Sequence, residues 1–484
     1  MTAPSPVTPA PPADLPGTLG ALRAAGHAYR TVKQELRDNL LARMRSGADR
    51  FPGIVGYDDT VLPEVERALL AGHDMVLLGE RGQGKTRLIR SLVGLLDEWT
   101  PVIAGSVLNE HPLHPLTPSS RALVAEAGDD LPVAWLHRSM RYGEKLATPD
   151  TSVGDLIGDV DPIRIAQGRT LGDPETIHFG LVPRTNRGIF AVNELPDLAE
   201  RIQVALLNVL EERDIQVRGY QLRLPLDLFL VASANPEDYT NRGRIITPLK
   251  DRFGAEVRTH YPVDLDLELA LIRQEADLVA EVPEHVLEVL ARFARAVRES
   301  PSVDPRSGVS ARFAIAAAET VAAAALRRAG LLAAAGTVPF LSSEGAVARV
   351  GDAVSVTSTL RGKVEFESGE EGREVEILGH LLRTATAETF RARLAGLDLS
   401  GFTALVDEDA VIETGELVSS AELLRQVGTV PGLAKALDRL GLGDAPTPEQ
   451  VAAGVEFVLE GLHLTRRLGK DVTDSGRTRY GGRA

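Results

Sequence analysis

The spacing of apolar positions changes along the chain, and the changes mark out its parts. Between Thr31 and Gly47 the residues Val32, Leu36, Leu40 and Met44 recur every four positions. That period predicts one amphipathic helix over 31–46 whose stripe docks on the domain that follows. Thr31 and Gln34 form a capping box at its start, and Gly47 stops it. From 52 to about 262, short apolar runs alternate with helical stretches. Runs at 75–78, 133–136, 189–192 and 228–232 predict buried strands, and a fifth fits near 256–261. Strands alternating with helices predict an α/β domain with a mainly parallel sheet. The chain between Gly84 and Ile189 is longer than one helix and one strand require, which predicts insertions around 104–130 and 150–180. Residues 264–334 keep a helical pattern throughout, with Pro283 at a first helical position and an alanine-rich run over 310–328. Beyond Pro339 a short alternating stretch at 364–366 gives way to more helices, and Thr447, Pro448 and Gln450 mark a further helix start. Residues 1–17 hold six prolines and read as a disordered tail. The stretch from Arg466 to Arg483 has six basic and two acidic residues and reads as a solvated terminus.

Composition narrows the function. With 44% hydrophobic and 25% charged residues over 484 positions, the chain is an ordinary globular protein, not a disordered or collagen-like one. Lys and Arg number 53 against 68 Asp and Glu, a net charge of −15. A nucleic-acid binder carries a basic face, so nucleic acid is not expected as a partner. Aromatic residues at 4% offer no stacking platform for single strands either. The cysteine count of zero excludes disulfides and thiolate-held metals or clusters. No apolar run approaches ~18 residues, so no transmembrane helix is expected. The N-terminus lacks the cationic start and apolar core of a signal peptide, and a cytoplasmic location is expected.

Candidate chemistry begins at Gly79-Glu80-Arg81-Gly82-Gln83-Gly84-Lys85-Thr86, which fits G-x-x-x-x-G-K-[ST] between an apolar run and a helical stretch. In such a loop the glycines, here Gly79, Gly82 and Gly84, let backbone N–H groups turn inward around phosphate oxygens, and the helix start adds its positive end. Lys85 supplies a compact charge to the β- and γ-phosphates of ATP, and Thr86 offers a hydroxyl to Mg²⁺. The apolar run at 188–192 ends in Asn193 and Glu194. Glu194 is placed to polarise an attacking water. The carbonyl of Asn193 can accept from a water on Mg²⁺, without the charge of a carboxylate. At the end of the next run, Asn235 is the candidate to orient that water. Arg252 is the candidate to reach a neighbouring subunit's phosphate, and Arg312, at the start of a helix, the candidate to couple hydrolysis to movement of the small helical unit. His111 and His114, beside Glu110 and with His137, could be metal ligands, but their proline-rich setting favours an insertion loop. Arg242 and Arg244 are as readily a solvated loop as a subunit contact.

In order, these elements resemble an AAA+ ATPase: P-loop, acidic strand end, polar sensor, arginine finger, second sensor. The stretch FGLVPRTNRGIF before Asn193 and Glu194 is similar to the segment before the Walker B strand of magnesium-chelatase I subunits and MoxR-type ATPases. LNVLEERDIQVRGYQLR over 207–223 resembles the helix and hairpin before sensor 1 in that clade. The same holds for SANPE from Ser233 as sensor 1, TSVGDLIG from Thr151 as the start of the helix-2 insert, and FPGIVGY from Phe51 as the segment against adenine. The resemblance covers about 51–330. It implies a P-loop AAA+ core with a parallel sheet and an all-α lid, and the helical pattern beyond Pro339 predicts a mostly helical C-terminal domain after them. The expected divisions are a tail over 1–17, a helical segment over 18–50, the ATP-binding domain over 51–262, the lid over 263–335 and a C-terminal domain over 336–484. It also implies ATP hydrolysis with Mg²⁺ and a homo-oligomeric ring, usually a hexamer. The implied partner is a protein client or a von Willebrand A domain protein. By this resemblance Lys85 and Thr86 are Walker A, Glu194 is Walker B, Asn235 is sensor 1, Arg252 is the finger and Arg312 is sensor 2. Asn193 stands where the family usually has Asp, and the sequence after about 340 matches no segment of the clade. Three alternatives stand beside the remodelling motor: a magnesium or cobalt chelatase motor subunit, a sigma-54-type activator, which lacks its GAFTGA string here, and a nucleotide-gated scaffold with little hydrolysis.

Overall fold

The computed structural model describes residues 9–160, 176–211, 215–217, 220–222, 224–236, 244–304, 308–336, 346–407, 411–443, 445–473 and 477–481. The chain divides into two units, Met1–His260 and Tyr261–Ala484.

The first unit is built on a five-stranded sheet. Its strands are β1 (Met75–Leu78), β2 (Tyr142–Leu146), β3 (Gly188–Asn193), β4 (Leu228–Ala234) and β5 (Ala255–Arg258). They run in the order β5–β1–β4–β3–β2 with every neighbouring pair parallel. Strand alternation divides the apolar residues between two cores. Leu77, Ile189, Ala191 and Val231 join Leu88 and Ile89 of the helix after the loop. Val76, Phe190, Val192 and Ala232 join Leu198, Ile202 and Leu206 on the other face. Each Val, Leu, Ile or Phe among them contributes about 1.5–3 kcal/mol on full burial, so both faces must be covered.

The predicted N-terminal helix is Val32–Ser46, with the Thr31–Gln34 capping box formed and Gly47 left-handed at φ 69°. Its stripe packs into the core shared with Leu88 and Ile89, as the period predicted. The run at 133–136 is a strand, Val133–His137, but it pairs antiparallel with Trp99–Ile103 outside the main sheet. The edge of the main sheet is instead β2, whose sequence YGEKL carries no apolar run: Glu144 and Lys145 interrupt it, and its one aliphatic residue, Leu146, is exposed. The first insertion lies between those two antiparallel strands and contains the helix Pro118–Ala127. The second begins with Gly158–Val160 paired to Ile177–Phe179; residues 161–175 lie outside the described residues. Helix Glu200–Glu211 and the paired strands Ile215–Val217 and Tyr220–Leu222 match the expected helix and hairpin. The proline-rich start is docked where it ends: Trp135 Nε1 donates to Pro16 O at 2.9 Å and Val133 N–H to Gly17 O at 3.0 Å.

In the second unit one hydrophobic core runs from Leu269 through to Tyr480. It draws on helices Glu284–Glu299, Ala311–Ala334, Glu374–Leu394 and Pro448–Leu464. The expected lid and C-terminal region therefore share a core, and the expected boundary abuts residues 337–345, outside the described residues. The alternating stretch at 364–366 reduces to one bridge, Phe366 to Val303. The described part of the basic C-terminal stretch, expected to be a solvated terminus, is folded into a sheet. Strands Lys470–Val472 and Thr478–Tyr480 form a three-stranded antiparallel sheet with Ile412–Thr414. Arg477 and Arg479 bond Glu413 at 2.7 and 2.8 Å, and Tyr480 is buried. Among the described residues no helix is long and apolar enough to cross a membrane.

Candidate functional site

The loop at 79–86 joins β1 to the helix Lys85–Ser91 at the carboxyl edge of the sheet. Gly82 and Gly84 have φ of 77° and 75°, a region costly for residues with a Cβ. Gly79 is required for space: a Cβ there would lie 1.9 Å from Thr259 Oγ1 and 2.2 Å from Gln83 Oε1. Those two atoms hold the loop. Gln83 Oε1 accepts from Glu80 N–H at 3.0 Å and from the Thr259 hydroxyl at 2.7 Å. The Tyr57 hydroxyl donates to the Gln83 carbonyl and to His260 O at 3.0 Å. Burial pushes this phenol up to about 12, against the pull of its bonds to Thr259 and His260. A cavity of about 380 Å³ opens beside Gly79, Glu80, Gln83, Pro236, Lys250 and Thr259.

Three of the expected residues meet at the loop. The buried Lys85 ammonium donates to Gly79 O, to Glu80 O at 2.8 Å and to Asn235 Oδ1 at 2.9 Å. Asn235 in turn donates from Nδ2 to Glu194 Oε2 at 2.8 Å. A lysine can only donate and an ionised glutamate only accept, so the asparagine amide has one consistent orientation between them. Glu194 itself is left-handed, φ 55° and ψ 47°. Alternation along β3 would send its side chain to the face opposite Asn193; the left-handed residue breaks the alternation and turns the carboxylate toward Asn235. Such a backbone costs of order 1–3 kcal/mol and is typical of functional positions.

Asn193 is buried on the sheet face covered by the Lys85–Ser91 helix. Its Oδ1 accepts from the Ser233 hydroxyl at 3.2 Å, and its Nδ2 donates to Glu144 Oε1 on β2 at 2.6 Å. Glu144 also receives Arg90 Nε at 2.9 Å, Arg90 Nη2 at 3.1 Å and the Tyr142 hydroxyl at 3.1 Å. Burial works against the Glu144 charge, but the Arg90 guanidinium with the Tyr142 and Asn193 bonds outweighs it and holds the carboxyl below its ordinary value. Sequence reasoning passed over Glu144 and Arg90, because neither belongs to a motif. Thr86 is half-buried in the first turn of the helix. The oxygen donors around the strand end (Thr86 hydroxyl, Asn193 amide, Glu194 carboxylate) suit a hard cation such as Mg²⁺, and the glycine cradle suits phosphate.

Arg252 and Arg312 stand on other elements. Arg252 is exposed at the end of the short helix Thr247–Arg252. Arg312 belongs to the second unit, in the first turn of Ala311–Ala334, where its N–H donates to Ser310 Oγ at 3.2 Å. Arg242 lies outside the described residues, and Arg244 O accepts from Gln203 Nε2 at 3.1 Å. The histidines of the first insertion pack as structure. His111 Nδ1 accepts from Leu113 N–H at 3.0 Å, which leaves the ring proton on Nε2, 3.3 Å from His27 Nε2. His114 stacks on Tyr29 at 4.6 Å. Glu110 is buried and accepts from Leu116 N–H at 2.8 Å and Thr117 N–H at 2.6 Å. Among the described residues no group of three or more His, Cys, Asp or Glu could hold a metal ion.

No family model matches the chain. It is 29% identical over 233 residues to magnesium-chelatase subunit ChlI-1, chloroplastic, of Arabidopsis thaliana, across 47% of this chain and 51% of that protein. It is 27% identical over 239 residues to magnesium-chelatase subunit ChlI of Nostoc sp., across 48% and 60%. The chain thus spans about half the length of the curated relatives it matches. Among solved structures it is similar to a complex between subunits BchI and BchD of magnesium chelatase, with TM-score 0.35 and 23% identity over 68% of this chain and 98% of that one. It is similar also to NtrX from Brucella abortus, with TM-score 0.38 and 15% identity over 72% and 66%. Scores this low carry no weight, and the relationship rests on the sequence.

Proposed function

We propose that this chain, an AAA+ protein related to the magnesium-chelatase ChlI subunits, binds ATP with Mg²⁺ at the 79–86 loop and hydrolyses it to drive change in a protein partner. The observation that carries the reading is the bonded series Lys85, Asn235, Glu194 at the end of three adjacent strands. Bound triphosphate would take the Lys85 ammonium from the carbonyls of Gly79 and Glu80, since a phosphate oxygen is the stronger acceptor. Asn235 and Glu194 then face the γ-phosphate side. Glu194 accepts a proton from the attacking water as its oxygen bonds to the γ-phosphorus, and the bond to the β-bridging oxygen breaks to release ADP and phosphate. Thr86 and Asn193 would hold Mg²⁺, which supplies positive charge to the β- and γ-phosphate oxygens.

Arg252, exposed and at a helix end, suits a finger reaching a neighbouring subunit's phosphate, and Arg312 a sensor on the second unit. That division of labour requires a ring, and a hexamer is the proposed form, with a protein client or a von Willebrand A domain protein as partner. A chelatase motor subunit is the second reading, favoured by the named role of the sequence relatives.

The test is ATP turnover with Mg²⁺ beside Glu194→Gln and Arg252→Ala, with mass read by light scattering. The expected result is turnover in wild type and a loss of about 10²–10⁴-fold in Glu194→Gln with binding retained. Arg252→Ala should also lose turnover, and should recover part of it when mixed with Glu194→Gln subunits. Turnover no higher in wild type than in Glu194→Gln would refute hydrolysis and leave a nucleotide-gated scaffold.

A further inference from the structure

The sequence raises a problem at residue 193 that the fold answers one strand away. An asparagine amide has two unlike ends. If its NH₂ end faced the metal side it would repel a cation and offer nothing to a metal-bound water. In the structure that end is occupied. The Glu144 carboxylate accepts from Nδ2 at 2.6 Å, and the Ser233 hydroxyl donates to Oδ1 at 3.2 Å. The register explains how a residue on β2 reaches it. Leu146 pairs with Asn193 and Glu144 with Ala191, so Glu144 is the diagonal neighbour of Asn193 on the same sheet face. That face is covered by the helix carrying Thr86 and, one turn later, Arg90. Arg90 grips Glu144 through both Nε and Nη2, and Tyr142 adds its hydroxyl, so the carboxylate is held from the helix, from β3 and by a neighbour on its own strand. Arg90 is 63% exposed, and an exposed ion pair is worth little stability by itself.

We propose that Glu144 is a positioning residue of the ATP site: it locks and polarises the Asn193 amide so that the pair does together what a single aspartate does elsewhere. Glu144 draws on the N–H end, which fixes the oxygen end toward Ser233 on β4 and makes it more negative. Ser233 couples the arrangement to catalysis, since the same hydroxyl oxygen that donates to Asn193 accepts the Glu194 N–H at 3.3 Å. The proposal rests on the ATP reading above. It also reverses the expectation for the obvious repair. Asn193→Asp would set two carboxylates against each other across the present 2.6 Å contact, and like charges there disfavour both being ionised.

The test separates the two readings. Affinity for a fluorescent, non-hydrolysed ATP analogue is measured first without metal, and Mg²⁺ is then titrated into the complex, for wild type, Glu144→Gln, Asn193→Asp and the double variant. Thermal melting of each monitors folding. Each single variant should weaken Mg²⁺ binding by about 10- to 100-fold, the usual effect of removing an outer-shell partner, while metal-free analogue binding and the melt stay near wild type. In the double variant the carboxylate sits on β3 and the amide on β2, so the introduced glutamine side chain donates to the introduced aspartate. Mg²⁺ affinity should then return to within a few-fold of wild type. The proposal is overturned if Glu144→Gln leaves Mg²⁺ affinity unchanged, if Asn193→Asp alone tightens it, or if the double variant is no better than Asn193→Asp. A wild type that binds no analogue under either condition refutes the ATP reading itself.

Discussion

Replacing Glu35 with Ala tests how the N-terminal helix is tied to the strands that carry the site. Glu35 lies on the buried face of Val32–Ser46 and receives Arg141 Nη1 and Nη2 at 2.7 and 2.6 Å. The Arg141 side chain is fully buried, and its Nε donates to Arg187 O at 2.7 Å, one residue before β3 begins. Contact there is tight enough that a Cβ on Gly188 would lie 2.1 Å from Arg141 O. Glu35 Oε1 also accepts the Asp97 N–H at 2.6 Å. Removing the carboxylate leaves a guanidinium buried without its counter-charge, which costs about 3–5 kcal/mol. The orphaned Asp97 amide adds about 1 kcal/mol. At roughly 2–4 °C per kcal/mol for a domain of this size, the midpoint should fall by on the order of 10 °C. The chain has 2 tryptophans, Trp99 and Trp135. Both lie in the first unit, so tryptophan fluorescence during denaturation reads that unit alone. A loss below about 1 kcal/mol would mean the pair is solvated and the burial argument wrong. Glu35→Met combined with Arg141→Met should recover most of the loss, because a buried pair replaced by apolar groups of similar volume is often neutral.

Gly79→Ala should cost about 1–3 kcal/mol and at least tenfold in nucleotide affinity, since the new methyl must separate Thr259 from Gln83 and so release the loop; unchanged affinity in a fluorescence titration would refute the steric argument. Acid should destabilise both units. Burial depresses His111 to about 2 and, with the Arg393 charge, His285 to about 3. Folded values below the unfolded ~6.5 mean that the stabilisation is fully present above pH ~6.5 and is lost as pH falls, by about 2 kcal/mol per histidine at pH 5. His285→Met should flatten that limb in pH-dependent melts of the second unit, and an unchanged slope would show that His285 does not contribute it.

What could be read from the sequence follows from how locally each feature is encoded. The Val32–Ser46 helix, its cap and its glycine stop were readable because the period and both end signals lie within a few residues of one another. The loop and the strand before it were readable because a fully buried parallel strand is apolar throughout, and the loop's glycines answer a backbone demand at their own positions. The strand β2 failed that test. As a sheet edge it is only partly buried, with Leu146 exposed, so YGEKL needs no apolar run, whereas 133–136 has one and pairs elsewhere. Missing β2 meant missing Glu144, because only its register with β3 puts a residue 49 positions upstream on the amide of Asn193. The basic C-terminal stretch misled for a similar reason. Two of its charges, Arg477 and Arg479, are paired with Glu413, 64 residues before Arg477, and that distance hides the pairing from any local count. The substitution that looked most damaging in sequence, Asn193 for the usual acid, therefore cannot be judged at its own position. Its chemistry depends on a contact between strands, and a residue-by-residue comparison with an aspartate-bearing relative would score the loss of charge and overlook the neighbouring strand that answers it.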